Sequence, residues 1–509
     1  MTQSPDGRRR LAQDEQGAVA VLLALSLLPL SLAAVGAVDL TRALSARGQL
    51  QDSLDAAALA GARSSPTDAE ALQAIGARVL ARNLGPTPDL ALSGSAQFVV
   101  GEKGTVIADA AATVDTVLAQ YVLGRPVRVA AHSEVARGDL KLEIAMVLDN
   151  TGSMAGGKIN SLRVAAANFV DTMAAAAAKR ADSADAVKIS LVPFSQTVRI
   201  DPSYRTASWI DQDGGSPIND EIFNSPAKRL ELFDRLGVGW AGCLESRGAP
   251  YDVSDTPPRD DGTSAGRATL FTPYFAPDEP DLPGAANNYL VDDIGGSDWL
   301  ARQGSTTKYV PTAGLNSQSG PNASCTLQPL RRLTSDYRAV KGDIAGMNAI
   351  GDTNIPFGLV WGWHTLSPHA PFADGAAYTQ VRTKKIAVVM TDGFNQFTAA
   401  PNPNGSQYSG SGYVWQGRVK KKDGTKLKGG SAAERTAAMD SRLSLLCENM
   451  KAAGVDIYTV GVQVAASHTG VLRACATHPD QYHDVANGSG MNVAFQAIAA
   501  QINNLHLSR

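Results

Sequence analysis

The sequence predicts an α/β protein with a mostly parallel sheet, helices on both faces and one large insertion, preceded by a membrane-spanning helix and a small α+β unit. Three observations lead there. From residue 141 onward, short Val- and Ile-rich runs alternate with helical stretches, the pattern of βαβ units. Residues 17–38 form an unbroken run of 22 uncharged residues. Residues 199–333 break the alternation, being rich in Pro, Asp, Gly and aromatics without a helical period. A connection that long inside a domain is expected to be a structured insertion.

The chain opens with a tail, residues 1–16, carrying Arg8, Arg9 and Arg10. The run GAVAVLLALSLLPLSLAAVGAV at 17–38 is long enough to cross a hydrocarbon core as a helix, with Pro29 a candidate kink. A cleaved signal peptide is the rival reading. The run is long for one and passes without a break into VDLTRALSARGQLQDSLDAAALAGAR. Arg42, Arg47 and Arg63 follow the span, so only the tight clustering of Arg8–Arg10 favours a cytoplasmic N-terminus.

After the span, Leu40, Ala43, Leu44, Leu50, Leu54, Ala57 and Ala58 share one helical face, interrupted by Arg47. Such a stripe predicts packing on the protein's own domain; the rival is packing along a filament or a second membrane protein. A helical stretch at 66–84 stops at Gly85-Pro86. The strand-like segments LALSGSAQFVV, TVIADAAATV and VRVAAHSEVA then complete a unit over 39–138.

The main domain is expected over 141–506. LEIAMVLD, VKISLVPFS, KKIAVVMTD and VDIYTVGVQV read as strands buried on both faces. Helices are expected near 158–179, 356–366, 433–453 and 488–504.

With 46 basic against 49 acidic residues, no global basic field points to nucleic acid. The four cysteines fit two disulfides in an oxidising compartment, or four free thiols. Cys243 and Cys325 both lie in the insertion and are the natural first pair, leaving Cys447 with Cys475; two other connectivities stay open. Closing a loop of that size would stabilise by about 4 kcal/mol in the chain-entropy model.

Chemistry concentrates at strand ends. Asp149-Asn150-Thr151-Gly152-Ser153 follows the first strand of the main domain, where an open α/β sheet places its ligand crevice. A carboxylate and two hydroxyls at alternate positions can point the same way. Mg²⁺ takes six oxygens and keeps several waters, so these three leave the sphere incomplete. Gly351-Asp352-Thr353-Asn354 and Thr391-Asp392-Gly393 lie at the same kind of junction and can complete it.

DNTGSM, GDTNIPFGL and VVMTDG together resemble the three pieces of the metal-ion-dependent adhesion site of von Willebrand factor A domains, a Rossmann-like fold, with DxTxS in place of DxSxS. The resemblance implies hydroxyl ligands from Thr151, Ser153 and Thr353, and Asp149 and Asp392 bound directly or through water. The sixth position is left for a partner's carboxylate. Mg²⁺ is the expected ion, with Mn²⁺ or Ca²⁺ as alternatives.

The N-terminal arginines, the span after Gly17 and SLDAAALAGAR at 53–63 resemble TadE/TadG-like proteins of the Flp, or tight-adherence, pilus apparatus. GCLESR, LFTPYFAPDEPD, NNYL, GPNASC, PLRRLTS and LVWGWHTLSP are similar to large TadG-like members. Leu22 stands where prepilin-like processing at Gly17 would require an acidic residue. The resemblance implies a single-span inner-membrane protein with its bulk in the periplasm and protein partners in a pilus machine. On this reading it is a metal-dependent binding component; the alternative is a structural component or surface adhesin whose metal only stabilises the domain.

Two other features stand out. YVWQGRVKKKDGTKLK at 413–428 reads as a hairpin turning at Asp423-Gly424, with Arg418, Lys420, Lys421 and Lys422 as candidate contacts for an acidic partner and a solvated loop as the rival. Asp278, Glu279, Asp281, Asp292, Asp293 and Asp298 make the insertion acidic and read as a solvated loop. No P-loop, GxGxxG, HExxH or Ser/His/Asp arrangement is present, so no enzyme activity and no small-molecule substrate are expected.

Overall fold

The computed structural model describes residues 15–64, 69–85, 90–101, 105–118, 121, 124–136, 141–178, 185–224, 227–380 and 382–507. Arg8, Arg9, Arg10 and Pro86 lie outside them. The chain divides into two compact units, residues 1–138 and 139–509.

The first unit is built on α1 (Glu15–Ser64), which runs unbroken through Pro29. It is long and apolar enough to cross a membrane. Its stripe divides. Leu50, Leu54, Ala57 and Ala58 are buried, whereas Leu40 and Leu44 are exposed along with Leu22, Leu23 and Leu25. The expectation that the whole stripe packs on its own domain is therefore corrected: the half beyond Arg47 is buried, whereas before it Ala43 is half-buried, Ala46 packs on the same core and Asp39 accepts from the Val117 and Leu118 amides, but Leu40 and Leu44 stay exposed.

α2 (Ala69–Leu84) buries Leu72, Gly76, Leu80 and Leu84, one residue per turn. Gly76 lets the Phe98 ring press on the helix; a Cβ there would sit 2.5 Å from ring atoms. The strand-like segment after residue 90 is two strands, β1 (Leu90–Leu92) and β2 (Gln97–Val100), both antiparallel to β3 (Thr105–Val114). β4 (Val127–Ala136) pairs with the other edge of β3. Alternate residues of β3, from Val106 to Val114, face the core.

The second unit holds an eight-stranded sheet. β5 (Lys141–Asp149) and β6 (Val187–Phe194) are adjacent and parallel. β7 (Val198–Arg199) and β8 (Cys243–Leu244) extend the sheet antiparallel beyond β6, and β9 (Arg331–Thr334) also pairs antiparallel with β6. β10 (Thr383–Thr391) lies on the other side of β5, followed by β11 (Val455–Val462) and β12 (Tyr482–Val485), all parallel.

β5 serves two cores, which is why it reads as a continuous apolar run. Leu142, Ile144, Met146 and Leu148 join the core under α3 (Gly157–Ala178). Ala145 and Val147 join the opposite core, with the insertion. Of the remaining helices, α4 (Arg229–Leu236) lies within the insertion. α5 (Tyr337–Gly346) and α6 (Ile355–Leu366) follow it on opposite faces. α7 (Ala432–Ala452), α8 (Thr469–Cys475) and α9 (Gly488–Leu507) complete the domain.

All twelve residues of α6 are buried. Gly358 and Gly362 permit this, since a Cβ at either would meet Phe194 or Val147 at about 2.5 Å.

Residues 199–333 are largely irregular but ordered around an apolar interior that includes Trp209, Phe271, Phe275 and Tyr309. α4 and the short β-strands inside this range are too short to show a period in the sequence. The Cys243–Cys325 disulfide closes the insertion over a separation of 82 residues, and Cys447–Cys475 ties α7 to α8.

Candidate metal centre

The site forms where the sheet changes direction. β5 and β10 are parallel neighbours, and the helices that follow them, α3 and α7, pack on opposite faces. Their C-terminal ends therefore part around a crevice, the topological switch point of an open α/β sheet.

β5 ends on Asp149, and a single turn follows over Gly152–Met154. The Thr151 amide donates to Asp149 Oδ1 at 2.8 Å, folding the loop back on its carboxylate. A second loop is bolted to the first: the Gly152 amide donates to the Gly351 carbonyl at 2.9 Å and the Ile350 amide to the Asn150 carbonyl at 2.7 Å. Gly351 takes φ 71°, which favours glycine. A third loop joins where the Gln396 amide donates to the Thr353 carbonyl at 2.8 Å.

These links bring the five expected residues into one neighbourhood. Thr391 Oγ1 donates to Asp149 Oδ2 at 2.6 Å. Thr151 Oγ1 and Ser153 Oγ share a hydrogen bond of 2.9 Å, and Ser153 Oγ donates to Asp392 Oδ1 at 2.6 Å. Thr353 Oγ1 faces Gly393, 3.7 Å from the position a Cβ would take there. Asp149, Thr151, Thr353 and Asp392 are buried, and Ser153 stands at the exposed rim.

Burial pushes the Asp149 carboxyl up to about 6, with the charge of Asp392 adding to it and hydrogen bonds from Thr151 and Thr391 opposing. A buried carboxylate held beside a second one is a place where a cation is electrostatically favoured.

Sequence reading missed Lys158. From the first turn of α3 its Nζ donates to Asp392 Oδ2 at 2.5 Å. The only signal available was its place as the first cation after the Asp149 loop. The donor set itself is two carboxylates and three hydroxyls, hard oxygens of the kind Mg²⁺ accepts with waters completing the sphere. Among the described residues no group of three or more His, Cys, Asp or Glu could hold a metal, so any cation here relies on hydroxyls.

The basic segment is partly corrected. The hairpin does form: the Gly424 amide donates to the Lys421 carbonyl, and the arms pair through the Lys421 amide on the Thr425 carbonyl at 2.8 Å, the Leu427 amide on the Val419 carbonyl at 2.9 Å and a bridge between Lys420 and Lys426; what is corrected is the role of Arg418. Arg418 is buried and is no surface contact: its guanidinium pairs with Glu245 at 2.7 Å and Glu221 at 2.8 Å, and Glu245 in turn pairs with buried Arg229. Lys422 is exposed, and Lys420 and Lys421 are half-buried.

The acidic residues of the insertion are likewise not simply solvated. Asp278 pairs with Lys308 at 2.7 Å, Asp292 with Arg302 and Lys308, and Asp298 caps a short helix at Trp299–Gly304. Glu279 is buried and accepts from Asn402 and Tyr413. Arg302 and Lys308 thus neutralise Asp278 and Asp292, while Asp281, Asp293 and Asp298 are exposed to solvent as expected.

Residues 17–64 match the family model of putative Flp pilus-assembly TadE/G-like proteins. No curated protein matches the chain. Among solved structures, the chain is similar to the vWF domain of the type V pili tip protein Mfa5 from Porphyromonas gingivalis, at 12% identity and a TM-score of 0.34 over 73% of this chain and 98% of that one. The pilus adhesin RrgA from Streptococcus pneumoniae gives 10% identity and a TM-score of 0.34 over 82% and 49%. The pilus adhesin SpaC from Lactobacillus rhamnosus GG gives 12% and 0.33, with 82% of this chain covered; the chain spans about a third of SpaC's length, 34%. These identities and scores describe a loose likeness of shape, and no residue role follows from them. The TadE/G-like match is confined to the segment that contains the apolar helix.

Proposed function

We propose that this chain is a membrane-anchored component of Flp pilus assembly whose second unit, a von Willebrand factor A-like domain, binds an acidic residue of a partner protein through Mg²⁺. The TadE/G-like match at 17–64 supports the pilus setting. The observation that carries the binding mode is the convergence of Asp149, Thr151, Ser153, Thr353 and Asp392 at the switch point, with Ser153 at an open rim. When bound, the ion supplies a positive centre for an incoming carboxylate. The chain's own residues hold it, orient it through the three linked loops and restrict water on the buried side. With α1 as the anchor, two disulfides fit a periplasmic location for the bulk of the chain.

Pull-down of pilus-assembly proteins on the full chain in detergent tests the reading. Recovery should fall with chelator and with Asp149→Ala. Equal recovery in every arm would sink it.

A second reading has one observation in its favour. Leu40 and Leu44 are exposed beyond the span, which suits a structural component that docks through α1 while the ion only staples the loops. Loss of pili on Leu40→Asp with none on Thr353→Ala would favour it.

A further inference from the structure

The β10–α7 loop that carries Asp392 also borders a cavity of about 370 Å³ on its far side. Phe394 and His468 form one wall, their rings stacked at 4.3 Å and 16°. Ala432, Ala433 and Ala437, exposed on the first turns of α7, keep the opposite wall low. Asp440 closes the end. Its Oδ1 accepts from Asn395 Nδ2 at 2.8 Å, and Oδ2 makes no hydrogen bond among the described residues.

Asn395 fixes this cavity to the metal loops. Its carbonyl accepts from Thr436 Oγ1 at 2.9 Å and its Oδ1 from the Ile355 amide at 2.9 Å. One loop thus presents Asp392 to the candidate ion and Phe394 to the cavity, two residues apart.

We propose that this cavity receives a basic side chain, Arg or Lys, of the same partner whose carboxylate meets the ion; the inference rests on the metal-dependent reading above. The shape and chemistry select this occupant. An aliphatic stem suits the ring wall and the alanines, and a cationic tip reaches Asp440. A Leu or norleucine would leave the half-buried carboxylate of Asp440 with the His468 imidazole as its one charged neighbour in the cavity and no hydrogen bond on Oδ2, and an acidic tip would be repelled by it. Burial already holds the Asp440 carboxyl above the usual range, a cost that an arriving cation relieves. Lys421 and Lys422 line a separate cavity across Ala437, so the partner presents its basic residue on the Asp440 side and not on theirs. The recognised feature is therefore an acidic residue and a basic one presented on the same face of the partner.

The test titrates N-acetyl-arginine amide and N-acetyl-norleucine amide into the full chain in detergent micelles by saturation-transfer NMR. The arginine amide should bind at least roughly fivefold more tightly than the norleucine amide, as one charge-assisted contact allows. Asp440→Asn and the cavity-filling Ala437→Phe should each remove that preference, with far-UV spectra unchanged. Asp149→Ala should keep it. Equal binding of the two amides, or an undiminished preference in both variants, overturns the proposal. Loss of the Mg²⁺ response with arginine preference intact would defeat only the metal reading, and the converse result only this one.

Discussion

The Ser153 hydroxyl donates to the Asp392 carboxylate at 2.6 Å across 239 residues of sequence. That bond joins the loop after β5 to the loop after β10. The order of those loops is set by the strands' parallel register, which pairs Met390 with Leu148. The site is thus a product of sheet topology and not of any local segment.

A first prediction concerns the ion itself. Mg²⁺ added to the chelator-treated chain should raise its Tm, with a stabilisation of about 2.7 kcal/mol at a hundredfold excess over Kd. Asp149→Ala and Thr353→Ala should weaken the response, Asp149→Ala the more because it removes a charged ligand. Thermal melting with and without EDTA reads both; an unchanged response in Asp149→Ala would remove this carboxylate from the site.

Lys158 predicts an effect with two signs. Its ammonium occupies Asp392 Oδ2 at 2.5 Å, and Asp392 is fully buried while Lys158 is 30% exposed. Lys158→Met should destabilise the metal-free protein by about 1–3 kcal/mol, since a buried charge loses its partner. It should tighten Mg²⁺ binding by a factor of about five, because the ion no longer competes with a tethered cation. Calorimetric titration and melting in EDTA separate the two. Weaker Mg²⁺ binding in the variant would mean that Lys158 supports the site and does not compete for it.

Proton linkage follows from Asp149. Its folded-state pKa of about 6 lies above the ordinary 3.8, so the folded protein binds the proton more tightly than the unfolded chain does. The contribution to stability is fully present below about pH 4 and is lost as pH rises through about 6, the difference approaching about 3 kcal/mol. In EDTA, the wild-type protein should lose more stability than Asp149→Asn between pH 4 and 7. Parallel pH profiles for the two would contradict the assignment.

The parts of this protein legible in its sequence are those with a local cause. β5, β6, β10 and β11 read as apolar runs because both faces of each are covered, and α6 and α7 begin near the expected residues because Asn354 and Ser431 cap them. That Asp149, Thr151, Ser153, Thr353 and Asp392 would lie near one another was legible because their loops sit at strand ends or just before a helix on one edge of the sheet. Three things were not. β9 is four residues long and antiparallel, so nothing local distinguishes it from a loop. Arg418 and Asp278 read as solvated charges because their partners, Glu221 and Lys308, lie far away in sequence or in a segment with no period. Lys158 met Asp392 only through the three-loop convergence.

The buried charges of the insertion give the last prediction. Arg418 binds Glu221 and Glu245, Arg229 binds Glu245, and Tyr408 donates to the same Glu245 carboxylate. Residues 408–418 are thereby fastened to α4 and β8 on the insertion side. The Ser246 amide on the Gly410 carbonyl at 2.7 Å adds a backbone link, and the Gly410 amide in turn donates to the Gln196 carbonyl at 3.0 Å, next to the loop that supplies Thr353. Removing Arg418 takes one of two cations from buried Glu245, which keeps Arg229, and the cation from Glu221, whose side chain is 26% exposed, a loss of about 3 kcal/mol. Arg418→Met should therefore lower the Tm sharply. Lys421→Ala and Lys422→Ala, on the solvated turn, should change stability by less than about 0.5 kcal/mol while remaining available to alter partner recovery. Chemical denaturation of the three variants checks the contrast. A mild Arg418→Met would mean that the network is dispensable and that the insertion is held to the sheet by its aromatic interior and the Cys243–Cys325 disulfide alone.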